Sequence, residues 1–176
     1  MLYFVVTLSV LFIGLLLLLL FTWKNGVSPM PTSHKIRDAL LENLPELNDG
    51  TIIELGSGWG NILFPLSKKY ADCSIIGFEN SPIPYLFSSF LNHSKNLKIV
   101  RHDFFEKPLR DANLIVCYLF PKSMERLKEK LERELCPGTH VVSHTHEIPT
   151  WKPKQTISVD SSMIYLYEVP GRSETI

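Results

Sequence analysis

The chain has 176 residues, 18 Lys+Arg against 18 Asp+Glu, 45% apolar positions and three cysteines. That length holds one domain, or one domain and an appendage, and the zero net charge argues against a general basic surface for nucleic acid. Cys73, Cys117 and Cys136 are odd in number and lack CxxC or metal spacing, which argues against a disulfide scaffold or zinc ribbon and for a reducing compartment.

Met1 to Trp23 carries no charge, and 19 of its 23 residues are apolar. As a helix, Leu2 to Phe21 would span the roughly 30 Å hydrocarbon layer at about 1.5 Å per residue. A cleaved signal peptide fits poorly, because no Lys or Arg precedes the run and Phe21-Thr22-Trp23 offers no small-residue cleavage site. No face is polar, so a buried amphipathic helix fits no better. Lys24, Lys35 and Arg37 follow the span, with Trp23 at the interface. The expectation is a single-pass membrane protein with its body on the cytoplasmic side and the lipid bilayer as its first partner.

Residues 24–33, with Gly26, Pro29 and Pro31, read as a linker. A helix is predicted from Ser33 or His34, with Ile36, Leu40, Leu41 and Leu44 on one face and Asn48-Asp49-Gly50 closing it. Strands and helices then alternate. Strands are predicted at Thr51–Leu55, Ser74–Phe78, Leu97–His102, Asn113–Leu119 and Thr139–Ser143, and helices at Gly60–Tyr70, Pro82–His93 and Pro121–Leu135. In the last helix Met124, Leu127, Leu131 and Leu135 form the apolar stripe, and the pairs Lys128–Glu132, Glu129–Arg133 and Lys130–Glu134 are placed on the wet side. Thr156–Val159 and Met163–Val169 are expected to close the sheet as an antiparallel pair. This pattern predicts an α/β fold with a mainly parallel sheet and helices on both faces.

The informative stretch is Ile52-Ile53-Glu54-Leu55-Gly56-Ser57-Gly58-Trp59-Gly60-Asn61, a buried strand running into a glycine turn and then a helix. Such a turn lies at the crevice where open α/β sheets bind ligands. A P-loop requires GxxxxGK[ST], and no Lys follows these glycines. The GxGxxG dinucleotide fingerprint fails by one residue, with Asn61 in place of the third glycine. The acidic-x-Gly-x-Gly-x-Gly loop of class I S-adenosylmethionine-dependent methyltransferases is matched in full by Glu54 to Gly60. An acid at Glu54 suits a ligand bearing an ammonium and a sulfonium better than one bearing phosphates. Glu79, at the end of the second strand, is placed to accept both ribose hydroxyls. Asp103, after the third strand, is placed to accept from the adenine amino group, with the Phe104 ring near the base. The bland alternatives are a tight turn, a helix N-terminal acid and a loop acid. Three acids after three successive strands are more specific than any one of them.

On these residues the soluble part resembles the class I methyltransferases over most of its length. Pro31-Thr32, Gly77 to Pro82, His102-Asp103-Phe104-Phe105, Cys117-Tyr118-Leu119-Phe120-Pro121, Met124 to Leu127 and Thr150 to Pro153 make it resemble a small membrane-anchored branch. That branch is related to the mitochondrial protein-lysine methyltransferases of the family with sequence similarity 173, whose members act on the adenine nucleotide translocase and the ATP synthase c subunit. The resemblance implies a Rossmann-like fold over residues 34–171 after an anchor at 1–23, with a frayed tail at 172–176. It implies S-adenosylmethionine held by Glu54, Gly56, Ser57, Gly58, Gly60, Asn61, Glu79, Asn80, Asp103 and Phe104. Thr32, Tyr118, Phe120 and Pro121 would line the acceptor channel. The fourth strand ends in Cys-Tyr-Leu-Phe-Pro rather than the Asn/Asp-Pro-Pro-Tyr/Phe loop of many amide and exocyclic-amine methyltransferases, which weakens DNA adenine or glutamine as acceptor.

The expected function is methyl transfer to a lysine of a membrane or membrane-proximal protein, without nucleic acid. A lipid, quinone or small-molecule acceptor, or a non-catalytic cofactor-binding module, is the alternative. No general base is visible. His144 and His146 share a strand face near His140 and Glu147, but without HExxH, paired Cys or clustered carboxylates they read as strand-end or pocket residues rather than metal ligands. Cys117 lies in a buried apolar run, where a thiol is inert.

Overall fold

The computed structural model describes residues 1–25 and 32–170, with only the backbone of residues 2, 15 and 17–25. The linker residues 26–31 and the tail lie outside the described residues. The first element, α1 (Leu2–Asn25), is a helix of 24 residues with no acidic residue in its first turn. Among the described residues no helix is long and apolar enough to cross a membrane; the described side chains of α1 run only to Leu16.

Helix α2 (His34–Asn43) starts at Ser33, whose hydroxyl accepts the Ile36 N–H. The alternation that follows is β1 (Thr51–Leu55), α3 (Leu63–Lys69), β2 (Ser74–Phe78), α4 (Pro82–Leu91), β3 (Leu97–Val100), a 3-10 turn at Phe104–Glu106, β4 (Leu114–Cys117), α5 (Pro121–Glu134), β5 (His140–His144), β6 (Gln155–Val159) and β7 (Ser162–Glu168). The seven strands form one sheet in the order β3-β2-β1-β4-β5-β7-β6. β1 pairs in parallel with β2 on one side and β4 on the other, so the chain reverses its winding there. The C-terminal β6–β7 pair is antiparallel, as the sequence predicts.

Two apolar cores sandwich the sheet. Leu40 of α2, Leu44 just after it, and Leu63 and Leu66 of α3 pack with Ile52, Ile75, Leu114 and Val142. Met124, Leu127 and Leu131 of α5 pack with Ile53, Leu55, Ile115 and Val141. The strand residues alternate between the cores because neighbouring side chains point to opposite faces.

Three expectations need correction. α3 starts at Leu63, not Gly60, because Gly56, Gly58 and Gly60 all have positive φ (77°, 53° and 87°) and keep the turn open through Asn61. α4 ends at Leu91, since the Asn92 side chain turns the backbone by accepting the Ser94 N–H and donating to the Leu97 carbonyl. Lys130 is not on the wet side: it is 4% exposed. Its ammonium donates to both oxygens of Glu134, at 2.8 and 2.9 Å, and Glu134 also accepts the Leu109 N–H. Positions 127, 130, 131 and 134 share one helix face, so this pair sits at the edge of the core.

Candidate active site

β1 delivers Glu54 to the carboxyl end of the sheet with only 5% of its surface exposed. Its Oε2 is buried and has no hydrogen-bond partner, as is the Oγ of Ser57. Burial, with the nearby Glu79 charge adding to it, pushes the Glu54 carboxyl well above its usual range. The glycine loop is fixed by its backbone: the Gly56 and Ser57 N–H groups both donate to the Phe78 carbonyl at 2.9 Å. A Cβ on Gly60 would meet the Phe64 ring at 2.5 Å, whereas one on Gly58 would meet nothing within 4 Å. The loop is therefore packed behind and open in front. Asn61, partly buried, continues the turn into α3.

β2 ends at Phe78 and places Glu79, also buried, beside that loop. Glu79 Oε2 accepts the Gly58 N–H at 2.8 Å and Oε1 accepts the Ser81 N–H at 2.5 Å. One carboxylate thus clamps the glycine loop to the start of α4 and keeps lone pairs on both oxygens for a ligand. Asp103 caps the 3-10 turn by accepting the Phe105 N–H at 2.9 Å. Asn80 and Asp103 share a polar cleft of about 420 Å³ with Arg101, His102 and Glu106. The Phe104 ring lies 4.3 Å from that of Phe105, which carries the Arg126 guanidinium on its face at 3.9 Å.

The ends of β4 and β5 form a second feature. Cys117 and Ser143 are register partners, so Tyr118 and His144 follow side by side. Their rings lie 4.4 Å apart, and Phe120 stacks over His146 at 6.4 Å. Tyr118 and Phe120 are exposed while His144 is 3% exposed, and neither imidazole nitrogen of His144 has a hydrogen-bond partner. Burial, helped by His146, lowers its pKa to about 4, so the ring is neutral near pH 7. Pro121 opens α5 beside Phe120. Thr32 stands partly buried ahead of the Ser33 cap, and the described contacts do not tie it to Tyr118, Phe120 or Pro121. The sequence reads His144 as a strand-end or pocket residue without a partner; the parallel register of β4 and β5 is what pairs it with Tyr118. Among the described residues no group of three or more His, Cys, Asp or Glu could hold a metal.

The ANTKMT methyltransferase domain matches residues 54–155, from the tip of β1 to the start of β6. The chain belongs to this family. It is a family of class I S-adenosylmethionine-dependent protein-lysine N-methyltransferases. The methyltransferase is 34% identical over 149 residues to a protein-lysine N-methyltransferase of Saccharolobus islandicus (strain REY15A), covering 80% of this chain and 92% of that protein. It is 28% identical to the adenine nucleotide translocase lysine N-methyltransferase of Mus musculus, over 72% of this chain and 57% of that protein, so it spans little more than half of the mouse protein. Among solved structures it resembles an RNA methyltransferase of Salinibacter ruber in complex with S-adenosyl-L-homocysteine, with TM-score 0.72, 25% identity and coverage of 80% and 94% of the two chains. S-adenosylmethionine fits the site on this chain's own terms: two orphaned buried oxygens (Glu54 Oε2 and Ser57 Oγ), an open face at Gly58, and a buried carboxylate at Glu54 that suits a cationic ligand better than a phosphate.

Proposed function

We propose that this methyltransferase is tethered to a membrane by α1 and modifies a lysine side chain of a protein embedded in or lying against that membrane. Glu54, Gly56, Ser57, Gly58, Gly60 and Asn61 hold the amino acid end of the cofactor, Glu79 and Asn80 the ribose, and Asp103 and Phe104 the base. The observation that carries the cofactor assignment is the buried, unpartnered Glu54 oxygen beside the open face of Gly58. An anionic carboxylate there gains most from a ligand with positive charge. S-adenosylmethionine, when bound, supplies a methyl group on a cationic sulfur for in-line displacement, so positioning can do most of the work.

The acceptor enters between Tyr118 and Phe120, with Pro121 shaping the rim. Tyr118 presents a hydroxyl and a ring face to an incoming amine. His144 beneath it is neutral and offers a nitrogen lone pair, which orients the amine by accepting one of its hydrogens. Exclusion of water by Phe120 favours the uncharged amine, the form that can attack. The uncharged run Met1–Trp23 and the basic residues Lys24, Lys35 and Arg37 after it support an anchor with the domain on the cytoplasmic side. Anchoring raises the effective concentration of membrane substrates at the site.

The test incubates the full chain with methyl-labelled S-adenosylmethionine and membranes, then separates protein from lipid. Label in a protein band that disappears on Lys→Arg replacement at the acceptor supports the proposal. Label that extracts with lipid overturns the lysine assignment in favour of a lipid or quinone acceptor. Cofactor binding with no transfer to any fraction favours a non-catalytic module.

A further inference from the structure

Helix α4 is built inside out. Its buried positions are Pro84 and Ser88, while Leu86 (64% exposed), Phe87, Phe90 (82% exposed) and Leu91 face outward. A helix that turns serine inward and leucine and phenylalanine outward has an apolar environment outside the domain, since monomeric proteins seldom leave such a patch in water. Trp59 extends this face toward the glycine loop, its ring 5.3 Å from that of Phe87 in an edge-on contact.

Three observations identify what covers the face. α4 is in contact with α1, the uncharged helix whose described apolar side chains are themselves exposed. Only residues 26–33 join Asn25 to His34, and eight residues reach at most about 28 Å, so the domain stays close to wherever α1 is embedded. No acidic residue occurs between Glu79 and Asp103, whereas Lys95, Lys98 and Arg101 in that stretch are exposed. An outward apolar helix face in a stretch of chain that carries exposed bases and no acids fits a helix lying in the interface of an anionic bilayer.

We propose that α4 lies in the membrane–water interface, with Leu86, Phe87, Phe90 and Leu91 in contact with lipid and Trp59 at headgroup level. This rests on the anchoring of α1 proposed above and goes beyond it: α4 is a second contact that fixes how the domain faces the bilayer. Because α4 begins three residues after Glu79, the contact holds the cofactor site at a set height over the membrane, where a lysine near the surface of an embedded protein meets it. Aromatic side chains such as Trp59 favour that zone for their mixed polarity.

The experiment reconstitutes the full chain into phosphatidylcholine–phosphatidylglycerol vesicles. An environment-sensitive fluorophore is placed at Phe90→Cys in a Cys136→Ser background, which leaves only the buried Cys73 and Cys117. The control places it at Glu129→Cys on the exposed side of α5. The expected result is flotation with the vesicles, a blue-shifted emission at position 90, its loss to nitroxide-labelled lipid, and resistance to iodide; position 129 should show the reverse. Flotation with iodide quenching at both positions overturns the α4 contact and leaves the anchor standing. Failure to float overturns the anchor and the α4 contact together. Protection from both quenchers with a doubled mass in detergent also overturns the lipid contact, because a second copy then covers the face.

Discussion

Replacing Glu79 by Ala removes a clamp and a ligand contact at once, and the two losses can be measured apart. Without ligand, the Gly58 and Ser81 N–H groups lose a charged acceptor. Hydrogen bonds to charged groups are worth about 1.5–3 kcal/mol each, but both amides lie where water can re-enter, so the net cost is about 2–4 kcal/mol. Part of that is returned, because the Glu79 charge adds to burial in raising the Glu54 pKa. At about 2–4 °C per kcal/mol for a domain of this size, the melting temperature should fall by roughly 5–15 °C. With S-adenosylhomocysteine at 100 times its Kd, the wild type gains about 2.7 kcal/mol. Loss of two charged hydrogen bonds to the ribose raises Kd about 100-fold at the low end, which cuts that gain to about 0.4 kcal/mol. Thermal unfolding with and without ligand reads both numbers. A variant that melts lower yet keeps the full ligand-induced rise would show that Glu79 is a clamp and nothing more.

Four further outcomes follow from the same geometry. Glu54, with its pKa raised in the folded state, contributes stability below the unfolded value of about 4.3 and loses it as pH rises through the folded value. Glu54→Gln should therefore remove this fall of stability with rising pH, read by thermal unfolding of the ligand-free domain across a pH series, and weaken S-adenosylmethionine binding; an unchanged pH profile or an unchanged affinity would refute the assignment. Gly58→Ala, at φ 53° with open space around its Cβ, should cost the free domain only about 1–2 kcal/mol but weaken S-adenosylhomocysteine binding by more, and an unchanged Kd would place the ligand elsewhere. Lys130→Met strands the half-buried Glu134 and should cost about 3 kcal/mol in urea unfolding. Although burial acts to raise the Glu134 pKa, its bonds from Lys130, Leu109 and Arg133 hold it below the ordinary value, so stability should also fall as acid takes pH below about 4.3, and less so in the variant. His144→Phe keeps the ring contact with Tyr118 and should lower kcat while sparing cofactor affinity. Because the folded His144 pKa is about 4 against about 6.5 unfolded, the wild type should lose stability between those values as pH falls, and the variant should not.

The succession of strands and helices and the three acids near the strand tips were legible because each rests on local pattern: alternating periodicities, a glycine turn after β1, and a carboxylate near the end of β1 or within three residues after β2 and β3. What was not legible depends on neighbours distant in sequence. Lys130 looked like a surface lysine until the fold brought the Leu109 amide, 25 residues away in sequence, to its partner Glu134. His144 read as a strand-end or pocket residue, and only the register set it beneath Tyr118. α4 was legible as a helix, but its inverted faces needed the sheet, since only packing against β3 shows that Pro84 and Ser88 point inward. Glycine spacing revealed the ligand class, while the delayed start of α3 came from positive φ angles that spacing does not encode.

A crystal structure of the chain with S-adenosylhomocysteine would test the central claim most directly. The account predicts ribose hydroxyls within hydrogen-bond distance of Glu79, the amino group against Glu54 and Ser57, the adenine beside Asp103 and Phe104, and the sulfur facing Tyr118. A nucleoside bound away from these strand ends, or bound there with its sulfur turned from the β4–β5 mouth, would contradict it.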